Sequence, residues 1–255
     1  MAVMVGVGRA ARCGVLVRRP AALETLEKAD TLCIDKTGTL TEGRPDVLQI
    51  LPAPGISESR LLALAASLEA HSEHPLAAAV VRAARERGIS PLPVDAFAAT
   101  PGGGVAGVVD GVKIAAGTPE FVGAGAPAAV AGTAGRSRVD VAADGRWLGA
   151  LLLADKVKPS ARIALGELRR AGLRVVMLTG DREGAARAVA SETGIAEFRS
   201  GMGPGAKAEA VRALQREGRR VCMAGDGVND APALAAADTS IAMGAGSDVA
   251  KETAD

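Results

Sequence analysis

Apolar runs alternate with amphipathic segments along the second half of the chain. From Ser160 onward, apolar residues at helical spacing predict four helices, in SARIALGELRRAG, REGAARAVASETG, AKAEAVRALQREG and DAPALAAAD. Continuous apolar runs predict strands in LRVVML, RRVCMAG and TSIAMG. Such an alternation is typical of an α/β domain whose parallel sheet is covered on both faces. The run TLCID at residues 31–35 has the same character, although the next unit of this kind begins only after Lys158.

A different pattern occupies the region between these segments. Two amphipathic helices are predicted first, in ESRLLALAASLEA and PLAAAVVRAARERG. Alternating segments punctuated by glycine follow, in GVAGVVDGVKIAAG and RSRVDVAADGRWLGALLLA. Asp110-Gly111 and Asp144-Gly145 are hairpin signals, so this region is expected to form an antiparallel sheet. The Gly/Ala-rich residues 123–135 are interpreted as a loop or a weak helix.

The two patterns predict one domain inserted into another. Residues 20–45 and 154–255 would form the α/β domain, and residues 46–153 would form the inserted α+β domain. Residues 1–19 form an N-terminal segment in which four arginines follow an apolar start. That order is typical of the cytoplasmic end of a membrane helix, but an irregular N-terminal arm is an equally open interpretation. No apolar run in the sequence is long enough to cross a bilayer.

Charge and cysteine content exclude some classes of function. The net charge of the 255 residues is +1 and aromatic residues make up 2%, so neither a basic field nor stacking side chains indicate a nucleic-acid partner. Cys13, Cys33 and Cys222 form no C-x-x-C pair. Cys33 and Cys222 lie in apolar runs, which predicts buried thiols in a protein of a reducing compartment.

Acidic residues recur where the predicted parallel strands end. Asp35, Thr179-Gly180-Asp181 and Gly225-Asp226-Gly227 each follow a strand, and Lys207 lies in another helix of the same domain. The carboxyl ends of parallel strands meet at one edge of a sheet, where ligands bind. Clustered carboxylates favour Mg²⁺, which in turn indicates a phosphate substrate. Thr179, Lys207 and the backbone N–H groups of KTGT would donate to phosphoryl oxygens.

These residues carry a family resemblance. The motifs DKTGTLT, TGD and GDGVNDAPAL together resemble the signature of P-type ATPases, which have a haloacid-dehalogenase-like fold. The resemblance implies that Asp35 accepts the γ-phosphoryl group of ATP and forms an aspartyl phosphate. It assigns Mg²⁺ to Asp35, the Thr37 carbonyl and Asp226. The remaining catalytic residues that it implies are Lys36, Thr37, Thr179, Gly180, Asp181, Lys207, Asn229 and Asp230.

Thr37 favours a pump over a phosphatase. Related soluble phosphatases carry a second aspartate two positions after the nucleophile, where it serves as acid and base. This chain has Thr37 there. Without that base, water attacking the phosphorylated Asp35 lacks activation, so the intermediate is expected to persist.

The inserted region indicates which branch of the P-type ATPases the chain resembles. Its Ser-Glu-His-Pro element and its Gly-x-Gly pair resemble the nucleotide-binding domain of heavy-metal-transporting P-type ATPases. By this resemblance Glu69 meets the adenine amino group and His74 orients the adenine. Gly102 and Gly104 would let the backbone approach the nucleotide, with Gly117 nearby. Interdomain closure would then be required, because nucleotide and nucleophile belong to different domains.

Two other interpretations of this region are weaker. Gly102, Gly104 and Gly107 match the G-x-G-x-x-G dinucleotide motif, but an alternating segment follows instead of a helix. His71 and His74 could form a metal pair, yet no cysteine accompanies them. A purely capping role remains an open alternative for His71 and is disfavoured for His74.

The resemblance is incomplete in places. An acidic residue usually precedes the lysine where this chain has GMGPGAK, and neither a Thr-Gly-Glu loop nor a Cys-Pro-x motif is present. The chain is therefore interpreted as the ATP-binding cytosolic part of a bacterial inner-membrane pump. Its actuator domain, transmembrane domain and transported metal would lie outside this sequence. Residues 235–255 favour copper over zinc or cadmium by resemblance. The alternatives are a free-standing phosphatase with a large cap and a nucleotide-sensing regulator.

Overall fold

The structure, a computed structural model, describes residues 2–123, 125–128, 130–244 and 247–255. It divides into two compact units. The split unit comprises Met1–Gly43 and Val157–Asp255, and the inserted unit comprises Arg44–Lys156. Ala124, Ala129, Ala245 and Gly246, which belong to two stretches interpreted above, lie outside the described residues.

Helices and strands follow one another along the chain as α1 (Ala2–Arg12), α2 (Ala21–Glu27), β1 (Thr31–Asp35), β2 (Thr41–Pro52), α3 (Glu58–Glu69), α4 (Pro75–Glu86), β3 (Asp95–Thr100), β4 (Gly104–Val109), β5 (Val112–Gly117), α5 (Pro119–Val122), β6 (Ser137–Ala143) and β7 (Arg146–Val157). They continue as α6 (Pro159–Arg170), β8 (Arg174–Leu178), α7 (Glu183–Thr193), β9 (Glu197–Arg199), α8 (Pro204–Arg216), β10 (Val221–Gly225), α9 (Ala231–Ala236), β11 (Thr239–Ala242) and α10 (Asp248–Thr253).

The split unit is built on a five-stranded parallel sheet in the order β11-β10-β1-β8-β9. Leu165 of α6 and Val189 of α7 pack with Ile34 on one face. Val211 and Leu214 of α8 pack on the other face with Cys33. Because helices cover both faces, every residue of the central strand β1 is buried. Full burial of each such Leu or Val side chain stabilises the fold by about 1.5–3 kcal/mol.

The inserted unit contains a six-stranded sheet in the order β2-β7-β6-β5-β4-β3, in which the pairs from β3 to β7 are antiparallel. Leu61 and Leu68 of α3 and Val80 of α4 pack against it. Asp110 and Gly111 have φ of 51° and 77°, and Asp144 and Gly145 have φ of 46° and 77°. Positive φ at both central residues is the type I′ geometry that joins antiparallel strands. The predicted fold class, a parallel sheet with an antiparallel α+β insertion, is confirmed.

Three local expectations need correction or completion. The N-terminal segment is not an irregular arm, because Ala2–Arg12 is helical. The strands β2, β3 and β9 were not anticipated. Within residues 123–135, the described residues form neither a helix nor a strand, so a weak helix there is wrong. Among the described residues, no helix combines the length and apolar character needed to cross a membrane.

Candidate active site

Asp35 is the last residue of β1 and is 5% exposed. Its strand lies between β8 and β10, with Asp35 opposite Leu178 and Ile34 opposite Ala224. This register brings Thr179 and Asp226, which follow those partner strands, to the same edge of the sheet. The buried apolar strand thus fixes a carboxylate where the neighbouring strand ends supply polar groups.

A tight turn follows the strand. Thr37 has φ and ψ of −75° and 127°, and Gly38 has 74° and −23°, which is the type II β-turn geometry over Lys36–Thr39. A Cβ added to Gly38 would lie 1.6 Å from Oδ2 of Asp226. The positive φ favours glycine here, and a Cβ would also force the Asp226 carboxylate to move.

Lysine side chains tie the carboxylates together. Lys207 of α8 is 5% exposed, and its Nζ donates to Asp35 Oδ1 at 2.5 Å and to Asp230 Oδ1 at 2.7 Å. Lys36 Nζ pairs with Asp181 Oδ2 at 2.9 Å. Charge-assisted bonds of this kind orient both partners. The Lys207 contacts fix the Asp35 carboxylate in one position.

Burial shapes the protonation of the cluster. It raises the pKa of Asp35 to about 6, with Lys207 opposing this shift and the charge of Asp230 adding to it. Burial is also the main reason that the pKa of Asp226 is raised. For Lys207, burial acts to lower the pKa, but the charge of Asp35 and the hydrogen bonds to Asp35 and Asp230 outweigh it, so its pKa is raised. Lys207 is therefore a permanent cation between carboxylates.

These groups line a cleft of about 380 Å³ in the split unit. The residues around it are Asp35, Thr37, Thr179, Gly180, Asp181, Met202, Pro204, Lys207, Asp226, Gly227, Asn229 and Asp230. Of the expected catalytic residues, Lys36 alone is not part of this lining, and it contacts the lining through Asp181. Met202, Pro204 and Gly227 were not anticipated as lining residues.

The donor set of the cleft fits a divalent cation. Carboxylate oxygens of Asp35, Asp226 and Asp230 all lie within 4.8 Å of one another. Across the described ranges, no other group of three His, Cys, Asp or Glu side chains is placed closely enough to hold a metal. Hard oxygen ligands in this number are those that Mg²⁺ prefers. The Gly38 cradle beneath Asp226 keeps one of these carboxylates close to the turn.

Lys158 is a site residue that sequence reasoning missed. Its Nζ donates a short hydrogen bond to the Gly38 carbonyl, and its backbone N–H donates to Leu40 at 2.9 Å. Its charge also acts to lower the pKa of Asp226. The sequence offered one signal, a lysine directly before the helix-opening Pro159, but spacing alone could not place it at the turn.

The candidate nucleotide residues all lie in the inserted unit. Glu69, the last residue of α3, is 8% exposed, and burial raises the pKa of its carboxyl group, with a hydrogen bond from Ser72 opposing the shift. His74 is exposed and precedes α4, where its Nδ1 accepts a hydrogen bond from Leu76 N–H at 3.2 Å. His74 therefore caps α4, while the disfavoured interpretation was a purely capping role, which this hydrogen bond does not test. It occupies Nδ1 and leaves Nε2 without any role in the cap.

The three glycines differ in their surroundings. Gly102 has φ of 72°, and a Cβ added there would meet nothing within 4 Å. Gly104 and Gly117 face each other across β4 and β5, and added Cβ atoms would lie 2.2 Å from the Ala116 carbonyl and 2.4 Å from the Gly103 carbonyl. Close strand packing is therefore enough to require glycine at 104 and 117. Only Gly102 has open space beside it.

In the part of the chain that is described, neither His71 nor His74 belongs to a group of three or more side chains that could hold a metal. His71 instead lies against Phe97, with ring centroids 5.4 Å apart. Cys33 and Cys222 are fully buried, and burial raises the pKa of each thiol to about 12, as expected of inert core thiols.

Comparison with known proteins identifies the family to which the chain belongs. The model of the haloacid dehalogenase-like hydrolases matches residues 29–238, which include the whole cleft. The chain belongs to this hydrolase family. It is 44% identical to copper-transporting ATPase 1 of Rhizobium meliloti (strain 1021), over 99% of this chain. The match spans only 32% of that relative.

Two solved structures closely resemble the chain. A zinc-transporting PIB-type ATPase in the E2.Pi state is 42% identical with a TM-score of 0.92, covering 99% of this chain and 42% of that one. The catalytic domain of the CPx-ATPase CopB-B is 33% identical with a TM-score of 0.74, covering 97% of this chain and 92% of that one. The resemblance to heavy-metal P-type ATPases is confirmed over the full chain.

Proposed function

We propose that the chain is the ATP-binding and autophosphorylating region of a heavy-metal P-type ATPase, with Asp35 as the phosphate acceptor. The observation that carries the proposal is the buried Asp35 carboxylate, held by Lys207 within 4.8 Å of the Asp226 and Asp230 oxygens in one polar cleft. A carboxylate in this position can act as a nucleophile, since one oxygen is fixed and the cluster is open to the cleft.

The reaction is an in-line phosphoryl transfer. A carboxylate oxygen of Asp35 attacks the γ-phosphorus of ATP, a new O–P bond forms, and the bond to the β–γ bridging oxygen breaks as ADP leaves. Asp35 must be ionised to attack, and with a pKa of about 6 it is mostly ionised above pH 7. Lys207 holds the carboxylate. Thr179 and the backbone N–H groups of the Lys36–Thr39 turn would supply donors for the phosphoryl oxygens.

The acidic residues have separate roles. Mg²⁺ bound by Asp35, Asp226 and the Thr37 carbonyl would neutralise charge on the phosphoryl group. Asp230 holds Lys207 and accepts from the Gly227 N–H at 3.3 Å, so it fixes the loop that carries Asp226. Gly180, Asp181 and Asn229 line the cleft around the same point.

Persistence of the aspartyl phosphate distinguishes this chemistry from that of a phosphatase. Thr37 lies in the cleft, two residues after Asp35, and its hydroxyl is not a base at neutral pH. Hydrolysis of the intermediate therefore depends on groups that this chain does not place at that position. A long-lived phosphorylated state suits coupling to a conformational cycle.

Nucleotide binding is assigned to the inserted unit. Glu69 and His74 would contact the adenine, and Gly102, Gly104 and Gly117 would form the backbone surface beside it. ATP held by these residues has to be delivered to Asp35 of the split unit, so catalysis requires the two units to act together with the nucleotide.

The transported ion and the cellular setting complete the proposal. A soft metal, with Cu⁺ favoured, would be bound by membrane-embedded parts of a longer protein, for which the chain supplies the cytosolic ATP-driven module. The relative named above transports copper, whereas the structure with the higher TM-score transports zinc. Selectivity is expected to depend on residues outside the present sequence.

The strongest alternative is a free-standing phosphatase of the same hydrolase family. Side-by-side assays with ATP and p-nitrophenyl phosphate in Mg²⁺ buffer separate the two. The proposal predicts saturable ATP binding, about one equivalent of ADP released per chain in a burst, and slow turnover of both compounds. Rapid turnover of p-nitrophenyl phosphate without ATP binding would instead support the phosphatase. ATP binding without any burst would support a nucleotide sensor.

A further inference from the structure

Lys158 contacts the Lys36–Thr39 turn, although more than a hundred residues separate them in sequence. It occupies the position before α6, where its backbone N–H donates to the Leu40 carbonyl. Its side chain continues past this anchor, and Nζ donates to the carbonyl of Gly38. Two hydrogen bonds from one residue therefore fix both ends of the Gly38–Leu40 segment.

The position of Gly38 determines two other groups. Gly38 follows Thr37 in the type II turn, so the orientation of its peptide constrains the Thr37 main chain. The Asp226 carboxylate lies directly over Gly38, at a distance that leaves no room for a Cβ. A shift of this turn would therefore move Thr37 and displace Asp226, both of which lie beside the proposed acceptor Asp35.

The Lys36–Thr39 turn depends on outside contacts to stay ordered, because its third residue is glycine. Glycine at its third position is the most permissive residue of the backbone and loses the most freedom when it is ordered. A carbonyl bonded to an ammonium group forms a stronger bond than one bonded to a neutral donor. Lys158 is half-buried, so solvent competes less for this contact than on an open surface.

We propose that Lys158 is a positioning residue for phosphoryl transfer: its ammonium group, bonded to the Gly38 carbonyl, holds the Lys36–Thr39 turn in the type II geometry that places Thr37 and Asp226 around Asp35. This inference rests on the proposed function. Lys158 acts through the turn and does not itself contact the reacting atoms. The nucleotide residues are in the inserted unit, so the rate of transfer depends on Lys158 whereas ATP affinity does not.

The test compares Lys158→Met, Lys158→Arg and, as a matched control, Lys28→Met at an exposed lysine of the same unit. Each variant is mixed with radiolabelled ATP and Mg²⁺, quenched with acid at short times, and assayed for labelled protein. ATP dissociation constants and thermal unfolding midpoints are measured in parallel.

Lys158→Met is expected to form phosphoenzyme about 10-fold or more slowly at saturating ATP, because small displacements of catalytic groups have large effects on rate. Its ATP dissociation constant should stay within about 2-fold of the wild-type value. Lys158→Arg keeps a cationic donor and should recover most of the rate, and Lys28→Met should match the wild type.

The inference is overturned if Lys158→Met phosphorylates at the wild-type rate. It is also overturned if the rate and ATP affinity fall together, or if Lys158→Arg is as slow as Lys158→Met while both remain folded, since either result indicates a general structural role. An unlabelled wild-type chain overturns the proposed function and the inference with it, so the two failures are distinguishable.

Discussion

Asp35 lies in surroundings that favour its protonated form more than water does. Burial is the main cause, and the nearby charge of Asp230 adds to it, while Lys207 at 2.5 Å opposes both. A cluster with three carboxylates and Lys207 as the bridging cation retains excess negative charge. Such a cluster is well suited to receive a cation and a phosphoryl group.

A pH titration in metal-free buffer follows from this. Because the folded pKa of Asp35, about 6, exceeds the ordinary value of 3.8, the native state takes up a proton that the unfolded chain lacks as pH falls through 6. Lowering the pH from 7 to 4 should therefore increase the free energy of unfolding by about 1–3 kcal/mol through Asp35. Carbon-13 NMR of the Asp35 carboxyl group in EDTA should give a midpoint near 6, and Asp35→Asn should remove both the signal and its share of the pH dependence. A midpoint near 4 would contradict the account.

Gly38 provides a second residue-scale prediction. Alanine there must adopt φ of 74° and meets the Asp226 carboxylate, whereas alanine at Gly218 must adopt φ of 84° but meets nothing within 4 Å. Both substitutions should cost about 1–2 kcal/mol from backbone strain. Only Gly38→Ala should also slow phosphoenzyme formation, by at least 10-fold relative to Gly218→Ala. Thermal unfolding and acid-quench labelling of the two variants measure the two effects, and equal activities would show that the approach of Asp226 is unimportant.

At the scale of elements, periodicity predicted the framework well. The helices α3, α4, α6, α7 and α8 and the strands β1, β8 and β10 were predicted because their apolar residues have clear helical spacing or form continuous buried runs. The sequence did not predict β2 and β3. Pro45 lies within β2 and Pro52 ends it, and β3 contains three alanines and mostly exposed positions, so neither shows a buried alternating pattern.

The candidate site was predictable to a similar degree. Parallel topology brings strand ends together, which made the meeting of Asp35, Thr179 and Asp226 foreseeable. Lys158 could not be foreseen in the same way, because its contact with Gly38 depends on the path of the chain where it re-enters the split unit. The requirement for glycine at 104 and 117 likewise arises from strand packing that spacing does not reveal.

Variants of His74 can separate its role as the cap of α4 from its proposed role in binding adenine. Its Nδ1 caps α4, so His74→Ala should lose about 0.5–2 kcal/mol of stability together with ATP affinity. Asparagine caps helices well but lacks a ring for adenine. His74→Asn should therefore retain near-wild-type stability and still bind ATP at least 10-fold more weakly. Calorimetric titration with ATP and urea unfolding check the two quantities, and normal ATP affinity in His74→Asn would limit His74 to capping.

At the scale of the whole molecule, the proposed chemistry is divided between two compact units. The split unit supplies the carboxylates, lysines and the turn, and the inserted unit supplies the candidate nucleotide residues. On the proposed function, ATP and its acceptor would therefore belong to different units.

The central claim is that Asp35 becomes covalently phosphorylated by ATP, and the most direct measurement is trapping of that bond. The chain is incubated with γ-labelled ATP and Mg²⁺, quenched in acid, and reduced with borohydride so that the modified side chain is located by mass spectrometry. The account predicts label that hydroxylamine releases, a reduction product at position 35, and no label in Asp35→Asn. Absence of label in the wild type, or label retained in Asp35→Asn, would contradict it.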